Sequence, residues 1–295
     1  MTPETCLIGA RLLHYAAVLL LFGGSLFPFY ALAGRAPLPE AAGRFQRRVF
    51  VAAAFMALLS GLLWLAFTSA TMADSMAGAT DWASIKSIVS DMLFGRIWVA
   101  RMVLMVVVIH LAFFPARVSW LLPITSGVLL ASIGLTGHAA SEEGMVSAVH
   151  QAADTVHLLA AGAWLGALLP LGFLIARLPE APETRAAMTR FAGVGSVAVA
   201  ALVLTGLVNG WLIVGSVEGL FTTTYGRLLL FKLALFGLML LLAAYHRFRL
   251  APALEAAPGR PEAAGRLRRS IALEQALAAA VVAVVAVLGT LDPHA

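Results

Sequence analysis

Runs of about 20 apolar residues, separated by short polar stretches, recur along the whole chain, and each run is long enough to cross a bilayer as a helix. Eight stand out: Leu7 to Leu32, Val49 to Ala70, Ile97 to Phe114, Ser119 to Thr136, Val149 to Ala176, Phe191 to Val214, Leu228 to Tyr245 and Ser270 to Leu291. Lipid offers no partner to a free N–H or C=O, so a segment that bonds its own backbone is the form these runs take. The pattern predicts an all-α fold, a polytopic membrane helical bundle of about eight transmembrane helices. The longest connections hold about 20 to 25 residues, too few for a soluble domain. Residues 1–295 therefore read as a single transmembrane domain.

Composition sharpens this. Hydrophobic residues make up 61% and charged residues 12%, with a mean hydropathy of +0.93, whereas about a quarter of a soluble domain is charged. The net charge of +5 does not read as a nucleic-acid surface once the basic residues are placed. Arg35, Arg44, Arg47, Arg48, Arg117, Arg177, Arg185, Arg190, Arg247, Arg249, Arg260, Arg266, Arg268 and Arg269 all fall in the odd-numbered connections. That bias puts those connections in the cytoplasm and both termini outside, in the periplasm of a bacterial inner membrane. The start, MTPETCLIGARLLHY, has no basic leader and runs into a retained first span. Lone Cys6 excludes a disulfide framework and any CxxC metal site. No GxxxxGK[ST] motif predicts nucleotide binding and no CPC a P-type pump. With no GxSxG or HExxH either, the chain reads as a non-enzyme whose extended contact is membrane lipid.

The chemistry concentrates around HQAADTVHLLAAGAWLGALLPL, His150 to Leu171. His150, Asp154 and His157, at i, i+4 and i+7, share one face of a helix entering the membrane. Such a stripe is costly against lipid and marks a candidate site. Asp154 descends to nearly the depth of Arg101 and Lys232, so the spacing predicts that it pairs with one of them. Helix packing and ion or proton movement are both compatible with that pair. His14, His138, His150 and His157 all fall in the outer third, Trp164 continues the stripe below His157, and Asn209 faces the same pocket or bonds between helices.

The outside connections add donors suited to a soft cation. TMADSMAGATDWASIKSIVSD carries Met72 and Met76, and TGHAASEEGMVSAVH carries His138, Glu142, Glu143 and Met145. Imidazole suits copper of either valence, and thioether suits Cu(I). On the inner side, His110, His246 and Glu274 read as interfacial residues, Glu274 either in a salt bridge to the basic seventh connection or as an exit-side ligand or proton acceptor.

LLHYAAVLLLFGGSLF, GRIWVARMVL, TGHAAS, HLLAAGAWLGALLPL, TGLVNGW, YGRLLLFKLALF and the RRSIALEQ…LGTLDP end, in this order, make nearly the whole chain resemble the bacterial copper resistance D proteins. The resemblance implies an inner-membrane protein that takes copper from a periplasmic copper-binding protein of the C type and passes it toward the cytoplasm. It carries over onto His138, His157, Arg101, Lys232 and Glu274. No C-type domain is fused here, so a separate donor is implied.

The expected function is copper transport. His138, His150 and Met145 capture the ion, with Met72, Met76 and Glu142 as further outer ligands, and hand it to His157 and His14. Neutral imidazole is the ligand form, so binding weakens as pH falls through about 6. The rival is a b-type haem or quinone-linked redox protein, with axial histidines from His14 and His157 or His110 and His246. Its haem would give a Soret band. A scaffold for a periplasmic partner, with no permeation, is a third reading.

Overall fold

The computed structural model describes residues 1–32, 40–114, 120–137, 144–179, 181–250 and 261–293, and among them there is no strand. Seven segments are long and apolar enough to cross a membrane. They are α1 (Pro3–Ala31), α2 (Glu40–Met72), α4 (Leu93–Phe113), α6 with α7 (Gly144–Leu165, Leu168–Arg177), α8 (Pro182–Val214), α10 (Thr224–Tyr245) with a π-helical turn (His246–Leu250), and α11 (Pro261–Leu288). Between them lie α3 (Trp82–Asp91), α5 (Leu121–Ala131) and the single turn α9 (Gly219–Thr222).

The fourth predicted span differs from expectation. Its helical core, α5, has 11 residues and gives way to a 3₁₀ turn at Gly134–Thr136. At 1.5 Å per residue α5 covers about 16 Å, half of a hydrocarbon core. The fifth is interrupted at Gly166, because Pro170 lacks the N–H that would bond the Gly166 carbonyl and its ring clashes there. Pro28 inside α1 likewise frees the Gly24 carbonyl, and Gln46 of α2 donates to it at 3.3 Å.

α1 is the hub, touching α2, α5, α6, α7, α8 and α11. One apolar core joins α1 to α2, α4 and α5, and another joins α6 to α8, α10 and α11. Three arginines close helix C-termini. Arg11 donates to Gly289 at the end of α11 (2.7 Å), Arg190 to Ala31 at the end of α1 (2.9 Å) and Arg101 to the Ser132 carbonyl after α5. The last carbonyls of a helix have no intrahelical donor and carry partial negative charge, so a guanidinium is a stabilising partner there. On the outward faces Leu59, Val103, Val106, Leu204, Leu207 and Leu241 are exposed by 60 to 68%, a band that hydrocarbon covers.

Candidate functional site

α6 carries the predicted stripe, and α8 runs antiparallel beside it. Asn209 Nδ2 of α8 donates to Asp154 Oδ1 at 2.6 Å, and one turn deeper His157 Nδ1 meets Thr205 Oγ1 at 2.9 Å. The Thr205 hydroxyl already donates to the Ala201 carbonyl at 2.6 Å, so it accepts from His157. The imidazole proton is thereby held on Nδ1 and the lone pair on Nε2.

His157 lines a cleft of about 350 Å³ between α6, α8, α10 and α11, whose wall is apolar apart from Lys232, Ser216, Trp164 and Trp211. Trp164 sits below His157 and packs edge-on against Phe236, centroids 6.0 Å apart. Lys232 lies within electrostatic range of both His157 and Asp154.

Asp154 was expected to pair with Arg101 or Lys232, and of the two Lys232 lies within electrostatic range of it. Arg101 Nε donates to Ser132 Oγ at 2.9 Å, and Nη2 to the Ser132 carbonyl and to Thr136 Oγ1. Asp154 approaches the same turn, its Oδ2 lying 3.8 Å from where a Gly137 methyl would be. The turn's own carbonyl and hydroxyl groups, freed where α5 ends, hold the guanidinium. Asp154 also accepts from Asn209, with Lys232 as the nearby cation. Replacing Asn209 by Leu removes an interhelical bond to a carboxylate at little change in volume. A stability loss of about 1–2 kcal/mol is expected, read as a lowered unfolding midpoint in detergent. An unchanged midpoint would show that the bond contributes nothing.

His14 belongs to the other half. It is 1% exposed, its Nδ1 lies 3.0 Å from the Ala57 carbonyl and 3.3 Å from Ser60 Oγ, and its ring packs edge-on against Trp64. A carbonyl only accepts, so Nδ1 carries the proton and Nε2 the lone pair. Nε2 is buried without a hydrogen bond. Beside it, α2 has Gly61, where an added methyl would lie 2.9 Å from Met102 Cε, 3.1 Å from Met105 Cε and 3.5 Å from His14 Cε1. Arg11 and Arg101 both stand over the Trp64 ring, 5.1 and 5.5 Å from its centroid.

His14 and His157 thus occupy separate neighbourhoods. Among the described residues no three His, Cys, Asp or Glu side chains gather as a metal-binding group. His150 is fully buried in α6. His138, Glu142 and Glu143 lie outside the described residues. Met145 is 81% exposed at the start of α6, and Met72 and Met76 are exposed beside the turn that ends α2.

Glu274 of α11 sits beside the π-helical turn that follows α10. It is buried 3.2 Å from His246 Nδ1, while His246 Nε2 meets Ser270 Oγ at 2.5 Å. Sequence reasoning passed over Thr205, Ser60, Met102 and Met105. A signal existed in α8, where Thr205 and Asn209 are i, i+4, and in α4, where Trp98, Arg101, Met102 and Met105 form one helical stripe.

Residues 1–149 match the family model described as copper resistance protein D-like, N-terminal domain, and residues 185–288 that of copper resistance protein D. The chain is 36% identical to copper resistance protein D of Pseudomonas syringae pv. tomato, over 97% of this chain and 96% of that one. It is 31% identical to the inner membrane protein YebZ of Escherichia coli K12, over 97% and 98%. Copper transport protein CutJ of Bacillus subtilis is 30% identical over 80% of this chain and 45% of its own length. No solved structure matches.

Proposed function

The chain belongs to the copper resistance protein D family and is a multi-pass inner-membrane protein of copper homeostasis, and from that premise we propose that it carries copper from the periplasm toward the cytoplasm. A separate periplasmic copper-binding protein delivers the ion. His138, His150 and Met145 receive it, with Met72, Met76 and Glu142 as further outer ligands, and His157 and His14 take it inward. Asp154, Arg101 and Lys232 set the charge around that path, and Glu274 stands near its inner end. With α5 and the turn after it taken as a shorter, eighth crossing, both termini face the periplasm, as the arginine bias favours.

The observation that carries this reading is the tautomer of two histidines. At His157 and His14 a neighbouring oxygen accepts the Nδ1 proton, the arrangement that orients an imidazole as a metal ligand through Nε2. An imidazole kept only for helix packing gains nothing from leaving Nε2 buried and unbonded, as it is in His14. The haem reading loses one of its pairs, since both ring nitrogens of His246 are engaged, by Glu274 and Ser270.

Purified protein in sealed vesicles, with a copper indicator inside and copper outside, tests transport directly. The indicator is expected to respond severalfold faster than in protein-free vesicles. An equal rate, from protein shown to be folded, would favour the scaffold reading.

A further inference from the structure

We propose that His14 Nε2 and the thioether sulfurs of Met102 and Met105 form a Cu(I) site inside the membrane, between α1, α2 and α4. This rests on the copper reading and adds a ligand set and a valence to it.

Three features converge on one spot. His14 is 1% exposed, with Nδ1 committed to α2 and Nε2 bearing an unused lone pair. Met105, also 1% exposed, and half-buried Met102 bring their methyl ends to the same point as His14 Cε1, in front of a residue with no side chain. Gly61 is what opens that point. The helices are held in register there by Trp98 Nε1, which donates to the Gly61 carbonyl at 2.8 Å. A core residue chosen for packing alone would be Leu or Phe, without a buried nitrogen left unbonded.

The donor set selects the ion. One imidazole and two thioethers are neutral and soft, which favours Cu(I) over harder divalent cations. Arg101 and Arg11 stand over Trp64, which touches His14. Each repels a cation, and a divalent one twice as strongly. The two arginines thus disfavour Cu(II) and keep a monovalent ion loosely enough held to move on.

The test is X-ray absorption at the copper edge on whole protein in nanodiscs loaded with Cu(I), with affinity from competition against bicinchoninate. Wild type is expected to show sulfur as well as nitrogen scattering. Met102→Leu with Met105→Leu keeps side-chain volume. It should lose the sulfur signal and weaken Cu(I) binding by about tenfold or more, the loss that even a group one step removed from a metal can cause. Gly61→Ala, which fills the space, should weaken binding while the protein stays folded. Met188→Leu, between α8 and its neighbours, should leave both readings as in wild type. Scattering from nitrogen and oxygen alone, or sulfur scattering that survives the double substitution, overturns the site. If such a protein still fills vesicles with copper, the transport reading stands without it. If it binds and moves no copper, both fall.

Discussion

Cells making the His138→Ala, His157→Ala protein are expected to accumulate no more copper than cells lacking it, while wild type raises accumulation severalfold. The effect is large because, on the path proposed above, the two positions act in series. His157 lies at the α6–α8 seam, where its Nδ1 meets Thr205 Oγ1 and the cleft with Lys232 opens beside it. On that proposed path, removing either ligand interrupts transfer, and removing both leaves no donor in their place. His110→Ala, on an exposed face near Phe114, serves as the control and should leave accumulation at the wild-type level. Total copper in washed cells, set against the amount of protein in the membrane, is the measurement. Wild-type accumulation by the double variant at normal abundance would remove His138 and His157 from the path.

The second large effect is on the fold. A methyl on Gly166 would lie 2.0 Å from the Leu19 carbonyl oxygen, and one on Gly23 would lie 1.9 Å from that of Gly162. Both clashes are with backbone, which no rotamer change relieves. Gly162 and Gly166 are four apart on the face that meets Gly23, the small-residue contact by which membrane helices approach most closely. Gly166→Val should therefore force α1 away from α6 and α7, and α1 is the helix that most of the bundle packs on. A loss of about 3 kcal/mol or more is expected, at the upper end of overpacking costs. It should appear as little folded protein in the membrane and a sharply lowered unfolding midpoint. Gly237→Ala meets nothing within 4 Å. It should be neutral or gain up to about 1 kcal/mol from helix propensity. Equal stability of the two variants would show that the helices can part without cost.

Much of the bundle was legible in the residues because lipid imposes one rule, that every backbone group be bonded within its own segment. That rule turns apolar length directly into helices, and seven of the eight spans follow. The fourth fell short because apolar length says nothing of where α5 stops at Ala131 and a 3₁₀ turn begins at Gly134, or of an arginine waiting to take the freed carbonyl. The break at Gly166 carried a local sign in Pro170, four residues on. The stripe on α6 was readable from spacing alone, and its partners were not. Depth alone offered Asp154 either Arg101 or Lys232 and gave no hint of Asn209, because depth fixes the level of a charge and leaves its direction around the helix axis open.

The chain by itself determined that this is a helical membrane protein, which of its residues are polar within apolar spans, and the family it resembles. These follow from local composition and period, and need no knowledge of which helix meets which. Only the tertiary structure decided that His14 looks toward Met102 and Met105 while His157 looks toward Thr205 and Lys232. Which faces meet is set by close approach at glycines such as Gly23, Gly61 and Gly166, and that contact joins residues far apart in the chain with no periodicity to announce it.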